Sequence, residues 1–584
     1  MKKQRNRVKE VSGCKKTHAG LLAVAVMSLI GICNTVEAFE VPTGNEDIEL
    51  RWDNTLRYTY AHRVSGQNKT ILNSPNMDDG DRNFDVGPIS NRLDLLSEAD
   101  LVYKKDYGIR VSGAFWYDQT YKRSNLDNSS PGTSNHLVNG IPTVGYSDYS
   151  DRHFSGPNGE LLDLFAFGKY TIGDIPIQMK VGRHTVYWGE SMLGNGGMHG
   201  ISYGQSAIDQ SKGLAQPSVE LKELFRPRNQ VSAQIQPTKE LSIAGNYYFE
   251  WEANQFPEAG TYLGFADPLG NGSESIVAGP GRALNVGDIK PKQSGDFGVS
   301  ARWSPEGLAG TVGLYYRKFS DTFGQMNMQG MLLTPPVSPT GNFMFVPQQY
   351  RWSYASGIDL YGISFSKQVA GISIGTELSY RKNMPLWSNA NVAVTSVLAP
   401  GGPPSAVPYS PYAGGARGDT WHAVANFLYL FPKTPLYDTA TGLAEFTWNR
   451  LGSITSRADL AKWGNNTSSD VDRITKDYIG GQINFEPTWY QVMAGVDLSM
   501  PLSGFMGLVG NSAVTGGGTK NAGTYSAGFT ADFFQKYKAN LSYIGFFGPM
   551  GTLDPNTGEP LNGNSPFTSL KDRNMITLTM KTTF

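Results

Sequence analysis

Residues 48–60 read IELRWDNTLRYTY. Ile48, Leu50, Trp52, Leu56, Tyr58 and Tyr60 fall on one side of a two-residue period, with Glu49, Arg51, Asp53, Thr55, Arg57 and Thr59 on the other. An extended chain sends successive side chains to opposite faces, so this is a strand with one apolar and one charged face. A strand over a soluble core can alternate in the same way, but here the apolar face ends in aromatics, as a lipid-facing band with interfacial girdles does. The pattern recurs. Leu241, Ile243, Tyr247, Phe249 and Trp251 alternate with Ser242, Asn246 and Glu250, and Ile372, Ile374, Leu378 and Tyr380 with Ser373, Glu377, Ser379 and Arg381. Further copies run through Trp421–Tyr429, Val492–Met500, Tyr525–Phe533 and Leu541–Phe547.

The last strand carries Ile576, Leu578, Met580, Thr582 and Phe584 at every second position. This resembles the C-terminal signal of bacterial outer-membrane barrels. A sheet can span a bilayer only if it closes on itself, so Leu578, Met580 and Phe584 are read as the barrel-closure signal. Composition agrees: 584 residues with 68 glycines, 12% aromatic and 17% charged residues suggest many strands separated by turns. Short and long gaps alternate, and 124–158, 256–294, 325–350, 383–418, 503–522 and 549–570 are rich in Gly, Pro, Asn and Ser. At about ten residues per strand, the expected fold is an all-β, transmembrane antiparallel β-barrel of about 16–18 strands, one domain over residues 39–584.

The first 38 residues read as an address. Lys2, Lys3, Arg5, Arg7, Lys9, Lys15 and Lys16 precede an apolar run of about 14 residues, Ala19 to Ile32, too short to span a bilayer as a helix. Val36-Glu37-Ala38 then offers a cleavage site, so residues 1–38 are expected to be a signal peptide cut after Ala38. Cys33 follows Ile32 rather than a small residue, which argues against a lipid anchor. Cleavage removes both cysteines, Cys14 and Cys33, and with them any disulfide scaffold, thiolate metal site or thiol nucleophile. It also takes seven basic residues against two acidic ones, leaving a mildly acidic chain with no basic cluster, a poor partner for nucleic acid.

One segment breaks the period. Residues 183–228 read RHTVYWGESMLGNGGMHGISYGQSAIDQSKGLAQPSVELKELFRPR, beginning as a strand, losing alternation after Glu190 and holding a short helical stretch near Pro217–Phe225. Pro217 can start that helix and Pro227 ends it. VGRHTVYWGES at 181–191 and PSVELKELFRP at 217–227 resemble two hallmark motifs of the outer-membrane family called domain of unknown function 1302. The resemblance extends to NFDVGPISNRLDLLSEADLVYKKDYGIRVSG at 83–113, Trp116-Tyr117-Asp118 and YYFEWE at 247–252, nearly the whole chain beyond the address. It implies an outer-membrane barrel of a Gram-negative bacterium. The implied role lies in moving hydrophobic, lipid- or steroid-like molecules alongside an inner-membrane export pump or periplasmic carrier, after insertion by the barrel-assembly machinery.

Arg183, Glu190, Glu220, Lys222 and Glu223 make this segment too polar for lipid contact, so residues 191–228 are expected to fold into the lumen. With Trp188 they could form a selective constriction. The more economical reading is that Arg183 and Glu190 pair with each other and pin an inward-folded loop. Glu98 and Asp100 are expected to face the lumen in a polar network. Catalytic signals are weak. Gly371-Ile372-Ser373-Ile374-Gly375 spells a nucleophile elbow, but Ser373 lies inside a strand repeat rather than at a strand-to-helix turn. Asp78-Asp79-Gly80-Asp81-Arg82-Asn83 lacks the Gly and Glu that an EF-hand requires and is read as an exposed acidic loop. His62, His136, His153, His184, His199 and His422 show neither zinc spacing nor a close Ser or Cys partner. The expectation is therefore no enzyme, metal or cofactor, but a channel or receptor-like conduit. The alternatives are an outer-membrane lipid hydrolase and a structural or adhesion barrel with a sealed lumen.

Overall fold

A computed structural model describes residues 39–584 apart from 123–125, 127–133, 216–220, 279–280, 409–413, 468 and 551–562. The expected signal peptide, Pro217 and Glu220 lie outside the described residues. The chain forms a closed antiparallel barrel of 18 strands. They are β1 (Ile48–Arg63), β2 (Gly87–Tyr103), β3 (Tyr107–Asp118), β4 (Asn158–Ile172), β5 (Ile175–His184), β6 (Arg228–Ile235), β7 (Leu241–Tyr248), β8 (Phe297–Trp303) and β9 (Gly310–Phe319). There follow β10 (Ile358–Val369), β11 (Ile372–Pro385), β12 (Arg417–Phe431), β13 (Thr439–Ser456), β14 (Asp477–Met493) and β15 (Val496–Ser499, resuming as Leu502–Val509). The last three are β16 (Gly523–Phe533), β17 (Tyr537–Phe547) and β18 (Met575–Thr583).

Connections at one end are tight, such as Gly173-Asp174 and Ala370-Gly371, where Gly371 and Ala370 both take positive φ. At the other end they are long. Three of these, between β7 and β8, β9 and β10, and β11 and β12, build a second, six-stranded sheet from short strands including Gly324–Leu333 and Met344–Tyr354. Sequence periodicity missed this sheet because it mixes parallel and antiparallel pairs and its strands are short. Val492–Met500, read above as a single strand, is two: Met493 pairs with Val496 across a turn at Gly495, which carries φ +75°.

Outward positions form the expected belt. Tyr316, Tyr361, Tyr380 and Trp421 lie in one cross-strand row on β9–β12 near the long-loop end, with Leu314, Ile363 and Leu378 in the next row. Tyr107 and Tyr170 touch near the short-turn end, and Ile109, Val111, Leu161 and Leu164 are exposed between the two levels. Aromatics at two levels with aliphatics between match a bilayer's interfaces and core. The inward face is polar and packed: the largest fully buried side chains include Arg63, Arg228, Arg317, Arg381 and Arg573. Asp78, Asp79 and Asp81 are also buried, correcting the exposed-loop reading; Asp81 lies 2.7 Å from Arg63 and 3.1 Å from Arg573.

Closure is by β18 on β1, in register from Thr55↔Thr583 to Arg63↔Met575. Phe584 extends it, exchanging backbone hydrogen bonds with Asn54 at 2.7 and 2.8 Å. Beyond that point Phe39–Val41 pairs with Leu50–Trp52 and continues the seam. A charge at the terminal position would sit at the edge of the belt, a cost of about 1–4 kcal/mol depending on depth. Phe584→Glu is therefore expected to lower the yield of assembled barrel, read from the gel-mobility shift between unheated and boiled samples; an unchanged shift would contradict this account of the seam.

Candidate functional site

Between β5 and β6 the described residues, 185–215 and 221–227, turn into the lumen as a plug. Its described parts include helices Gly194–His199, Gln210–Ala215 and Leu221–Leu224, and a short ladder pairing Ala207–Ile208 with Phe225–Arg226. A peptide chain inside a barrel brings N–H and C=O groups that must find partners. Here wall side chains supply them. Glu377 on β11 accepts from the N–H groups of Glu190, Ser191 (2.8 Å) and Ile201 (2.5 Å). Glu445 on β13 accepts from those of Met192 (2.7 Å) and Leu193 (3.2 Å). The carbonyls go to arginines. Arg381 on β11 donates to Met198 (3.1 Å) and Gly200 (2.9 Å), and Arg317 on β9 to Ile201 (2.8 Å) and Tyr203 (2.6 Å). Arg228 on β6 donates to Gly204 (3.1 Å) and Gln205 (2.6 Å).

All five wall residues are buried. Hydrogen bonds to charged groups contribute roughly 1.5–3 kcal/mol each, so the grip is strong although its hydrogen bonds all go to plug backbone. It does constrain the plug's sequence. A Cβ at Gly196 would collide with Oε1 of Glu445, and one at Gly189, whose φ is +108°, with Oε1 of Glu377. The glycines let the carboxylates reach the backbone. Trp188 lies across Gly298 of β8, where a Cβ would stand 2.6 Å from the indole, and the Trp188 backbone N–H donates to Gln205 Oε1 at 2.7 Å.

The named charges are distributed differently from the sequence reading. Arg183 and Glu190 do not pair. Arg183 shares the outward parity of Met179 and Val181, so it sits on the outer rim rather than in the lumen, 3.1 Å from Glu250 and 3.0 Å from Glu252. Glu190 lies 3.4 Å from Arg302 of β8 and accepts from Ser364 at 3.1 Å. Glu223 meets Arg57 of β1 through two bonds of 3.0 Å. Lys222 pairs with Glu98 of β2. Glu98 and Asp100 face the lumen, both bonded to Arg110, which lies 2.8 Å from Asp100. The plug is thus tied to β1, β2, β8 and β10 through side chains and to β6, β9, β11 and β13 through its backbone.

Chain pairing also makes contacts that residue spacing hides. His184 Nε2 lies 2.8 Å from Ser232 Oγ, while its Nδ1 lies 3.0 Å from the Gly182 carbonyl. Ser232 belongs to a strand paired on both sides, so the surrounding backbone N–H groups are used in the sheet rather than left to stabilise an oxyanion. Ser373 likewise lies within β11, paired with Gln368 and Leu428. For cations, Asp78, Asp79 and Asp267 each place one carboxylate oxygen within 4.8 Å of the others; Asp78 is also paired with Arg82.

The family described as "Protein of unknown function (DUF1302)" matches residues 19–584. The chain belongs to the DUF1302 family. The motifs at 181–191 and 217–227 are those whose resemblance to this family is described above. No curated protein sequence matches the chain. Among solved structures, Pseudomonas aeruginosa OccK9 (OpdG) is 8% identical over 92% of this chain and 98% of its own, with a TM-score of 0.37. Acinetobacter baumannii OccAB4 gives 8%, 92%, 98% and 0.39, and the Acinetobacter baumannii outer membrane channel DcaP 9%, 94%, 100% and 0.35.

One further contact ties the plug of this DUF1302 chain to the wall. His199, on the plug, and His422, on β12, are fully buried with their Nδ1 atoms 3.0 Å apart. His199 Nε2 donates to the Gly517 carbonyl (2.9 Å), so its Nδ1 accepts from His422 Nδ1–H, and His422 Nε2 accepts from Thr420 (2.8 Å). Both rings are neutral in this arrangement. Burial, reinforced by Arg381, pushes His199 down from 6.5 to about 3, against the pull of the Gly517 carbonyl. Its contribution is whole above pH 6.5 and is lost as pH falls from there toward 3. Hydrogen exchange at residues 194–200, corrected for its intrinsic pH dependence, is expected to quicken over that interval, and to do so less in His199→Gln; an identical acid response in the variant would contradict the assignment.

Proposed function

We propose that the chain is a gated conduit of the Gram-negative outer membrane, with residues 185–227 as the gate. The observation that carries this is the grip itself: a segment with its own helices and ladder lies inside the barrel, yet is held at β6, β9, β11 and β13 through noncovalent backbone contacts that can be exchanged. The belt and closed seam support the membrane location; export with cleavage after Ala38 rests on the basic segment and short apolar run of the sequence alone. Hydrophobic small molecules, lipid- or steroid-like, are the proposed cargo, and apolar wall surface beneath the plug supports it: Tyr315, Phe319, Ile358, Leu360 and Met384 pack against Ile201 and Tyr203. An envelope pump or periplasmic carrier at the short-turn end is the partner this role calls for.

Replacing residues 191–226 with a short Gly-Ser linker leaves β5 and β6 whole. The expected result is an assembled barrel whose single-channel conductance in planar bilayers is severalfold that of the native protein. Conductance unchanged by the replacement would overturn the gate and favour a barrel sealed by other elements.

A further inference from the structure

The bed under plug residues Ile201–Tyr203 has two chemistries side by side. Ile201 is fully buried and Tyr203 nearly so, packed on Tyr315, Phe319, Ile358, Leu360 and Met384. Gly362 on β10 admits Ile201 directly: a Cβ there would lie 2.8 Å from Ile201 Cγ1. On either side of Leu360, in the same cross-strand row, stand Arg317 and Arg381. Both are fully buried, and among the described residues neither has a carboxylate within 4.0 Å. The acids in the neighbourhood are engaged elsewhere: Asp321 accepts from Tyr203 Oη and the Phe323 N–H, and Glu377 holds the plug amides. Nη2 of Arg317 and Nε and Nη1 of Arg381 are buried and, among the described residues, have no hydrogen-bond partner.

Buried cations with no carboxylate in contact are costly, and the carbonyl dipoles together with the longer-range pull of Asp296 on Arg317 and of Asp321 and Glu377 on Arg381 offset only part of that cost. The two guanidiniums are therefore better served by a ligand carrying negative charge than by the plug chain. We infer that this bed is a binding site for acidic amphiphiles, molecules with an apolar body and a carboxylate head, which take the place of Ile201–Tyr203. The carboxylate matches the fork geometry of a guanidinium, and the body covers the apolar surface that Ile201 and Tyr203 leave. A neutral apolar molecule would cover the surface but leave the cations bare. A small anion would satisfy the cations but leave the surface open. The inference rests on the conduit reading and narrows its cargo.

Decanoate, decanol and acetate separate these possibilities. The readout is hydrogen exchange of residues 198–205 in the full-length protein, held in nanodiscs of uncharged lipid and compared at equal free ligand concentration. Decanoate is expected to speed exchange at about one-tenth the concentration that decanol requires, and acetate to have no effect. In Arg317→Gln/Arg381→Gln the preference is expected to shrink to about twofold or less. The wild-type comparison stands without the variant, should the variant assemble poorly. Equal response to decanoate and decanol in the wild type, or a tenfold preference surviving in the variant, would overturn the site. Failure of the conduit reading looks different: the plug replacement would leave conductance unchanged while the decanoate preference remained.

Discussion

Peptide groups taken into a barrel must be hydrogen-bonded there, and in this chain the wall does it with buried charges. Glu377 and Glu445 collect plug N–H groups, while Arg228, Arg317 and Arg381 collect plug carbonyls. Each set supplies what the other lacks, because the peptide dipoles of residues 189–205 lie between acids and bases that have little direct contact. Removing the plug would leave five buried or newly wetted charges on the wall. Removing one of those charges would leave plug backbone groups without partners. The inserted position of the plug therefore depends on these five wall charges.

That reciprocity explains the position of the plug's glycines. Carboxylates can approach the backbone only where no Cβ intervenes, and Gly189 and Gly196 stand at the two points of closest approach. It also explains why the interior tolerates so many arginines. Aromatic faces share the load: Arg228 stacks on Tyr248 at 3.9 Å, Arg381 on Tyr203 at 4.4 Å and Arg317 on Phe319 at 4.8 Å. The outward face has a simpler task, since lipid asks only for apolar bulk between two aromatic levels.

The barrel was legible in the sequence because lipid imposes a strict rule on every second residue. Ile48–Tyr60, Ile372–Arg381 and Ile576–Phe584 obey it. Loss of that rule after Glu190 marked the plug. The grip was not legible, because a wall carboxylate that binds a backbone leaves no pattern in the residues it binds. Its only trace was on the inward face of β11, where Glu377 and Arg381 appear four residues apart as ordinary members of the polar side. Arg183 was misplaced for a related reason: at the rim the outward face is no longer in lipid, so a charge there obeys strand parity without facing the lumen. His184 and Ser232, and His199 and His422, meet only because pairing and plug insertion bring distant segments together.

The backbone grip is tested most directly by site-resolved hydrogen exchange at Ser191, Met192, Leu193 and Ile201, comparing the native protein with Glu377→Gln/Glu445→Gln. These amides are expected to be protected to the level of barrel strands in the native protein and to lose at least about tenfold protection in the variant, with strand amides unchanged. Native exchange as fast as that of the long external loops, or protection indifferent to the two carboxylates, would contradict the account.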